Sequence, residues 1–265
     1  MKKKHIIAHM TFREFADAIK ESPVILLPLG SQEEHGPASP MGDFLLTEAL
    51  AARIAEKSGA LAAPTTPFGY ADYFRPIPGG IQLQASTFCA MLRDYADNFL
   101  NHGLKKLIIF NGHSGNAPLI DNVVRQIRRD TGVIVPSINV WRLHTPEIWA
   151  KAYGGEPVTK AFGHGAEPVA SAYAYLFPDL IRPDLREKAA NGKKMLGFDL
   201  AGFAGVRFRG VEIPMPVDVT DLTDNGMTSG HTEKTSAEAG KVIADNIVDT
   251  TVAFIEAFRA ATPAK

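Results

Sequence analysis

The sequence predicts an α/β fold, a three-layer α/β/α sandwich built on a mostly parallel sheet. Three features carry the prediction. Strand-like apolar runs alternate with helix-length segments, and that alternation implies a parallel sheet covered on both faces. Two of the runs, residues 24–29 and Leu107–Asn111, are apolar almost throughout, as strands buried on both sides are. Each leads straight into a glycine-bearing loop that carries a histidine, and open α/β sheets bind ligands beyond the carboxyl ends of their strands. At 265 residues the chain suits one large α/β domain. No repeat, linker or low-complexity tract divides it, so residues 1–265 are read as a single domain.

The elements follow in order. Residues 24–29 form the first strand. Residues 45–57 read as a helix, with Leu46, Ala49, Leu50, Arg53 and Ile54 at helical spacing and Ser58-Gly59 ending it. Residues 60–63 are a short strand cut by Pro64. The segment 65–84 is rich in proline and aromatic residues and reads as a structured, functional loop. Residues 87–102 form a helix capped by Ser86 and stopped by Gly103, followed by the strand at 107–111. Residues 118–130 are a helix ended by Thr131-Gly132, and 133–140 a strand bent at Pro136. Residues 168–176 form a helix with Pro168 in its first turn, where a missing N–H costs little. The stretch 184–230, rich in Gly, Asp and Pro, reads as irregular, and 236–260 as a long C-terminal helix.

Charge narrows the function. With 28 basic and 29 acidic residues the chain is nearly neutral, which argues against a general nucleic-acid binder or a binder of anionic membranes. No apolar run approaches the length of a membrane span. Lys2-Lys3-Lys4 resembles the basic start of a secretory leader, but His5, His9, Arg13 and Glu14 interrupt the apolar run that should follow. A cytoplasmic enzyme is expected. The single cysteine, Cys89, lies in an apolar helical context without an adjacent base and reads as a structural thiol.

The chemistry is concentrated in two loops. The first strand runs into Gly30-Ser31-Gln32-Glu33-Glu34-His35-Gly36-Pro37, and Asp43 follows. The strand at 107–111 runs into Gly112-His113-Ser114-Gly115-Asn116. Carboxylate and imidazole are ligand types for Zn, Mn or Fe. Asn-Gly and Glu-Glu-His-Gly also serve as plain turn chemistry. The shared placement of both loops beyond strand ends favours a metal-dependent hydrolase site.

The motifs resemble those of the creatininase (creatinine amidohydrolase) family. Gly30 to Pro37 resembles the family's G-S-x-E-x-H-G-P, and Pro40-Met41-Gly42-Asp43 its P-L-G-x-D. Ile77-Pro78-Gly79-Gly80-Ile81 resembles F-P-G-T-x, and Asn111 to Asn116 resembles N-G-H-x-x-N. Gly163-His164-Gly165-Ala166-Glu167 resembles the later H-A-G or H-G-G segment. The resemblance implies the three-layer fold, two divalent metal ions per chain (Zn, Mn or Fe), and hydrolysis of a non-peptide C–N bond in a small-molecule amide. It also implies a homo-oligomer, often a hexamer. By the same resemblance Glu33 and His113 would hold one ion and His35 the other. Asp43 would bridge them, and His164 would be the catalytic histidine. A histidine that is not a ligand can move protons near neutral pH.

Three departures qualify the resemblance. The interval from His35 to Asp43 is one residue shorter than in creatininase itself. Creatininase also carries a glutamate two residues after the N-G-H histidine, where this chain has Gly115, and the acid five residues past His164 is replaced by Val169. Glu167 is the nearest candidate to complete the second metal set, against a plain role as a helix N-terminal acid. Glu34, which stands where relatives usually carry glutamine, is a weaker one. In the substrate shell Trp141 matches one pocket tryptophan, while Lys160 and Ser114 stand where a second tryptophan and a tyrosine would stack. Lys160, Arg75 and Arg142 point to an anionic group in the substrate. The expected function is therefore hydrolysis of a small amide, lactam or formamide other than creatinine. The alternatives are a formamide hydrolase of cofactor biosynthesis and a non-catalytic homologue that binds a metabolite.

Overall fold

A computed structural model of the protein describes residues 3–155, 162–189, 192–228, 230 and 232–261. The predicted parallel sheet is present. It comprises β1 (Ile25–Leu29), β2 (Leu61–Ala62), β3 (Leu107–Asn111) and β4 (Ser137–Asn139), in the order β2-β1-β3-β4. All three pairings are parallel. The second and fourth strands are shorter than the apolar runs that predict them. Pro136 has no N–H to donate to a ladder, but its carbonyl accepts from Ile109 N–H at 2.9 Å just before β4 begins. Leu29 pairs with Asn111, so β1 and β3 end level and their loops open side by side.

Side-chain alternation along the strands creates the layers. Ile25, Leu27, Leu29, Leu107 and Ile109 pack on one side with Phe88 and Leu92 of α3 (Ala85–Asn101) and Ile120 and Val123 of α4 (Ala117–Thr131). Phe15 of α1 (Phe12–Ala18) joins them; that short helix opens with a capping box between Thr11 and Glu14. Leu26, Ile108 and Phe110 face the other way. They meet Leu50 and Ile54 of α2 (Phe44–Ser58), Trp149 of α5 (Pro146–Tyr153), Tyr173 of α6 (Val169–Leu176) and Ile243 of α8 (Ala237–Ala260).

Several predicted ends hold. Gly59 and Gly132 sit in the left-handed region and close α2 and α4. Ser236 caps α8, its hydroxyl accepting from Ala239 N–H at 3.1 Å. Ser86 does not cap α3: the helix starts at Ala85, and the residue before it, Gln84, makes no side-chain cap. Cys89 is partly buried against the α3–α4 layer, and burial raises its thiol pKa.

The stretch 184–230 is not irregular. It contains an antiparallel meander of β5 (Lys194–Met195), β6 (Phe198–Leu200), β7 (Gly205–Phe208) and β8 (Val211–Pro214), followed by α7 (Val219–Leu222). Arg209 and Gly210 both have positive φ, as a two-residue hairpin turn requires. Strands this short carry too little alternation to stand out from the glycines around them. Among the described residues no helix is long and apolar enough to cross a membrane.

Candidate metal centre

Close backbone packing brings the two loops together. A Cβ at Gly30 would lie 2.5 Å from Phe44 Cα, so glycine here lets the start of α2 pack on the end of β1. This draws Asp43, the residue before α2, over the loop. Its Oδ1 accepts from Ser31 N–H at 2.7 Å and from the Ser31 hydroxyl at 3.3 Å, leaving Oδ2 free to face inward. Asn111 and Asn116 tie the neighbouring segments. Asn111 Nδ2 donates to Asn139 Oδ1 at 2.8 Å and to His113 O at 2.7 Å. Asn116 accepts from Tyr70 N–H at 2.8 Å and donates to Gly30 O at 3.2 Å. The N-G-H-x-x-N pattern thus links the ends of β1, β3 and β4 to the loop at 65–84.

That loop orients His113. Its Nε2–H donates to Tyr70 O at 3.0 Å, which turns Nδ1 toward Glu33 Oε2 at 3.0 Å and Asp43 Oδ2 at 3.3 Å. Glu33, Asp43 and His113 form one group whose potential ligand atoms lie within 4.8 Å of one another, and Glu33, His35 and His164 form a second. The residue common to both is Glu33. Asp43, the bridge that the family resemblance implies, stands in the first group and not in the second.

The electrostatics are those of a buried cation site. Glu33, His35, Asp43 and His113 are each 2–4% exposed. Burial raises the Asp43 carboxyl above its usual range. Burial pushes Glu33 the same way, but His113 beside it outweighs this and holds Glu33 low. Burial disfavours charge on His113, yet Glu33 and Asp43 win and raise it. Burial and the neighbouring His164 lower His35 to about 3. Among the described residues no lysine or arginine lines this cavity, and Glu33 Oε2 has no partner in hydrogen-bond geometry. Buried acids without a fixed cation, facing imidazole nitrogens, fit divalent metal ions.

His164, the third member of the second group, has its ring stacked on Phe74 (4.1 Å between centroids) and on His35 (4.9 Å). Its Nε2 is 2.6 Å from Glu34 O and 3.0 Å from Glu34 Oε1. Burial lowers its pKa, but hydrogen bonding and attraction from Glu34 prevail and raise it.

Glu167 lines the same cavity but joins neither group. Tyr153 OH donates to its Oε2 and Thr235 Oγ–H to its Oε1, both at 2.6 Å, and Ser171 N–H adds a bond at 3.3 Å. Both Glu167 oxygens thus accept hydrogen bonds from protein groups, and Glu167 is the one expected ligand that stands outside both groups.

The cavity encloses about 270 Å³. Trp141 lines it, its indole N–H donating to Gly112 O, and Ser114 stands at its edge. Lys160 lies outside the described residues. Arg75 and Arg142 are exposed and absent from the lining, and Arg75 is paired with Asp72. They give no support to an anionic substrate. Further aromatic residues line the cavity, among them Phe74, a loop aromatic expected as a substitute wall, and Tyr73 and Phe203, which the sequence reading did not single out. Phe203 lies 4.7 Å from Tyr73 and 5.2 Å from Phe74 between ring centroids. The aromatic richness of 65–84 signals the first two; Phe203, in the β6–β7 turn, has no such signal.

Fold and site together define an α/β protein with a buried carboxylate–imidazole centre at the carboxyl ends of a parallel sheet. The sequence matches the creatininase family (creatinine amidohydrolase) over residues 8–255, and the chain belongs to that family. It is 28% identical to the creatinine amidohydrolase of Pseudomonas putida, over 69% of this chain and 76% of that protein. It is also 28% identical to a 3-dehydro-scyllo-inosose hydrolase of Thermotoga maritima, over 66% of this chain but 57% of that relative. A mycofactocin precursor peptide peptidase of Mycolicibacterium smegmatis is 28% identical over 46% of this chain and 55% of its own. A crystal structure of creatininase superposes with a TM-score of 0.80 at 24% identity, covering 98% of this chain and all of that one. The same fold has been solved as a manganese creatininase and as a Zn-Zn form of a mutant creatininase, with TM-scores of 0.79 and 0.77.

Proposed function

We propose that this protein is a metal-dependent amidohydrolase that cleaves the C–N bond of a small, flat, uncharged amide or lactam. The observation that carries the reading is the pair of carboxylate–imidazole groups sharing Glu33, the second of which includes His164. Glu33, Asp43 and His113 would hold one divalent ion, and Glu33 and His35 a second. Ions bound there supply Lewis acidity and an activated water. His164, although it stands in the second group, is assigned the proton that goes to the leaving nitrogen. Trp141, Tyr73, Phe74 and Phe203 confine a planar substrate by stacking.

The aromatic lining favours a neutral ring, while Lys160, which suggested an anionic substrate, lies outside the described residues. The stacking positions also differ from those of the creatininase pocket, with Ser114 in place of a ring, so creatinine is a poor substrate in this reading. The test is turnover by the Mn- or Zn-loaded protein of creatinine, neutral lactams, ureides, formamides and their carboxylated analogues. Neutral cyclic amides should rank first. A carboxylated compound or creatinine ranking above them overturns the substrate assignment. No turnover together with no bound metal after loading favours the metabolite-binding alternative.

A further inference from the structure

We propose that Glu34 is the positioning residue for His164. Its backbone carbonyl accepts the Nε2–H and its carboxylate stands beside the same nitrogen, so that Nδ1 is the nitrogen left to exchange a proton with substrate. The inference rests on the reading of His164 as the proton carrier. Two oxygens of one residue meet one ring nitrogen, the backbone O at 2.6 Å and Oε1 at 3.0 Å. A carbonyl and a carboxylate oxygen both accept, so the proton belongs on this edge of the ring. Oε1 has no hydrogen bond of good angle, because the N–H points at the backbone oxygen and the carboxylate takes the side arm. Among the described residues nothing bonds to Nδ1. Phe74 and His35 both stack on the ring, which restrains its plane.

The carboxylate is itself seated. Glu34 is 7% exposed, and its Oε2 accepts from Gly36 N–H at 2.7 Å. Gly226, at φ +80°, stands against it; a Cβ there would lie 2.1 Å from Oε2. Glycine at 226 therefore makes room for this acid. The neighbouring Thr228 N–H donates to His164 O at 3.3 Å, which ties the same segment to the histidine's own backbone. Glu34 is not part of the cavity lining, while Glu33 is. Consecutive acids thus serve two centres: Glu33 faces the ligand groups and Glu34 faces the histidine.

The test is ring-nitrogen NMR of the full chain, labelled with ¹⁵N-histidine, loaded with zinc and held at a pH where the His164 ring is neutral. The His164 signals are those lost in His164→Asn. In wild type the proton should reside on Nε2 alone. Glu34→Gln, whose amide oxygen still accepts, should keep that pattern. Glu34→Ala removes the carboxylate beside Nε2 and the bond from Gly36 N–H that holds the residue-34 carbonyl in place, and should show mixed tautomers, with kcat falling and KM unchanged on any amide that the protein hydrolyses. A wild-type ring protonated on Nδ1, or a Glu34→Ala spectrum identical to wild type, overturns the proposal. The wild-type spectrum decides even if Glu34→Ala does not fold. It needs no turnover, so failure of the amide assignment is read separately from failure of the Glu34 role.

Discussion

The Tyr73 hydroxyl stands where a side chain at residue 115 would begin. A Cβ built on Gly115 would lie 2.4 Å from that oxygen, 2.4 Å from His113 Nε2 and 2.6 Å from Tyr70 O. Phenol and side chain at 115 exclude one another, so this chain has a tyrosine hydroxyl where creatininase has the start of a glutamate. Gly115→Ala should cost about 1–3 kcal/mol through overpacking. Tyr73→Phe removes the colliding oxygen and should relieve part of that cost. A double-mutant cycle by urea unfolding reads the coupling, and strictly additive costs would show that the two groups do not compete for space.

His164→Asn should retain metal and fold while lowering kcat by about 10²–10⁴, the range for loss of a general acid–base group. Kinetics on the best panel substrate, with metal content measured on the same sample, check this. Near-wild-type turnover in a metal-replete variant removes His164 from proton transfer.

Phe203→Ala tests the aromatic wall. Its ring contacts Tyr73 and Phe74 at the cavity, and loss of such contact is worth about 0.5–1.5 kcal/mol. KM for a flat amide should rise by roughly threefold to tenfold with kcat little changed. An unchanged KM would place Phe203 outside the substrate's reach.

His144 supplies a pH signature away from the metal centre. Its Nδ1 pairs with Asn246 Nδ2 at 3.0 Å, its Nε2 has no partner among the described residues, and Trp149 packs edge-on at 5.4 Å. Burial lowers its pKa from 6.5 to about 4. A histidine depressed in the folded state gives stability that is present above the unfolded value and lost as pH falls through the folded one. Unfolding free energy should drop by at most about 3 kcal/mol from this group between roughly pH 6.5 and 4. His144→Gln should flatten the profile in that window; an unchanged slope assigns the acid lability elsewhere.

The sheet and most of its helices were legible because their residues carry long, regular apolar patterns. Ile25 to Leu29 and Leu107 to Asn111 are wholly buried, and such runs have few other readings. Glu33, His35, Asp43 and His113 were legible because ligand chemistry sits in short motifs at strand ends. The meander was not, since its turns at Leu196-Gly197 and Arg209-Gly210 break it into strands of two to four residues. Phe203 depends on that meander for its place at the cavity. The engagement of Glu167 with Tyr153 and Thr235 was also beyond the sequence, because it joins residues 14 and 68 positions apart. The same holds for Glu34 and His164, separated by 130 positions.

The direct test of the shared-ligand centre is metal content by elemental analysis of wild type, Glu33→Ala and Asp43→Ala after loading with Mn or Zn. Wild type should hold about two ions per chain, the stoichiometry of a two-metal hydrolase site. Asp43→Ala should keep about one, because Asp43 belongs to a single group, and Glu33→Ala should keep essentially none. Full occupancy in Glu33→Ala would contradict the claim that Glu33 joins the two groups into one metal centre.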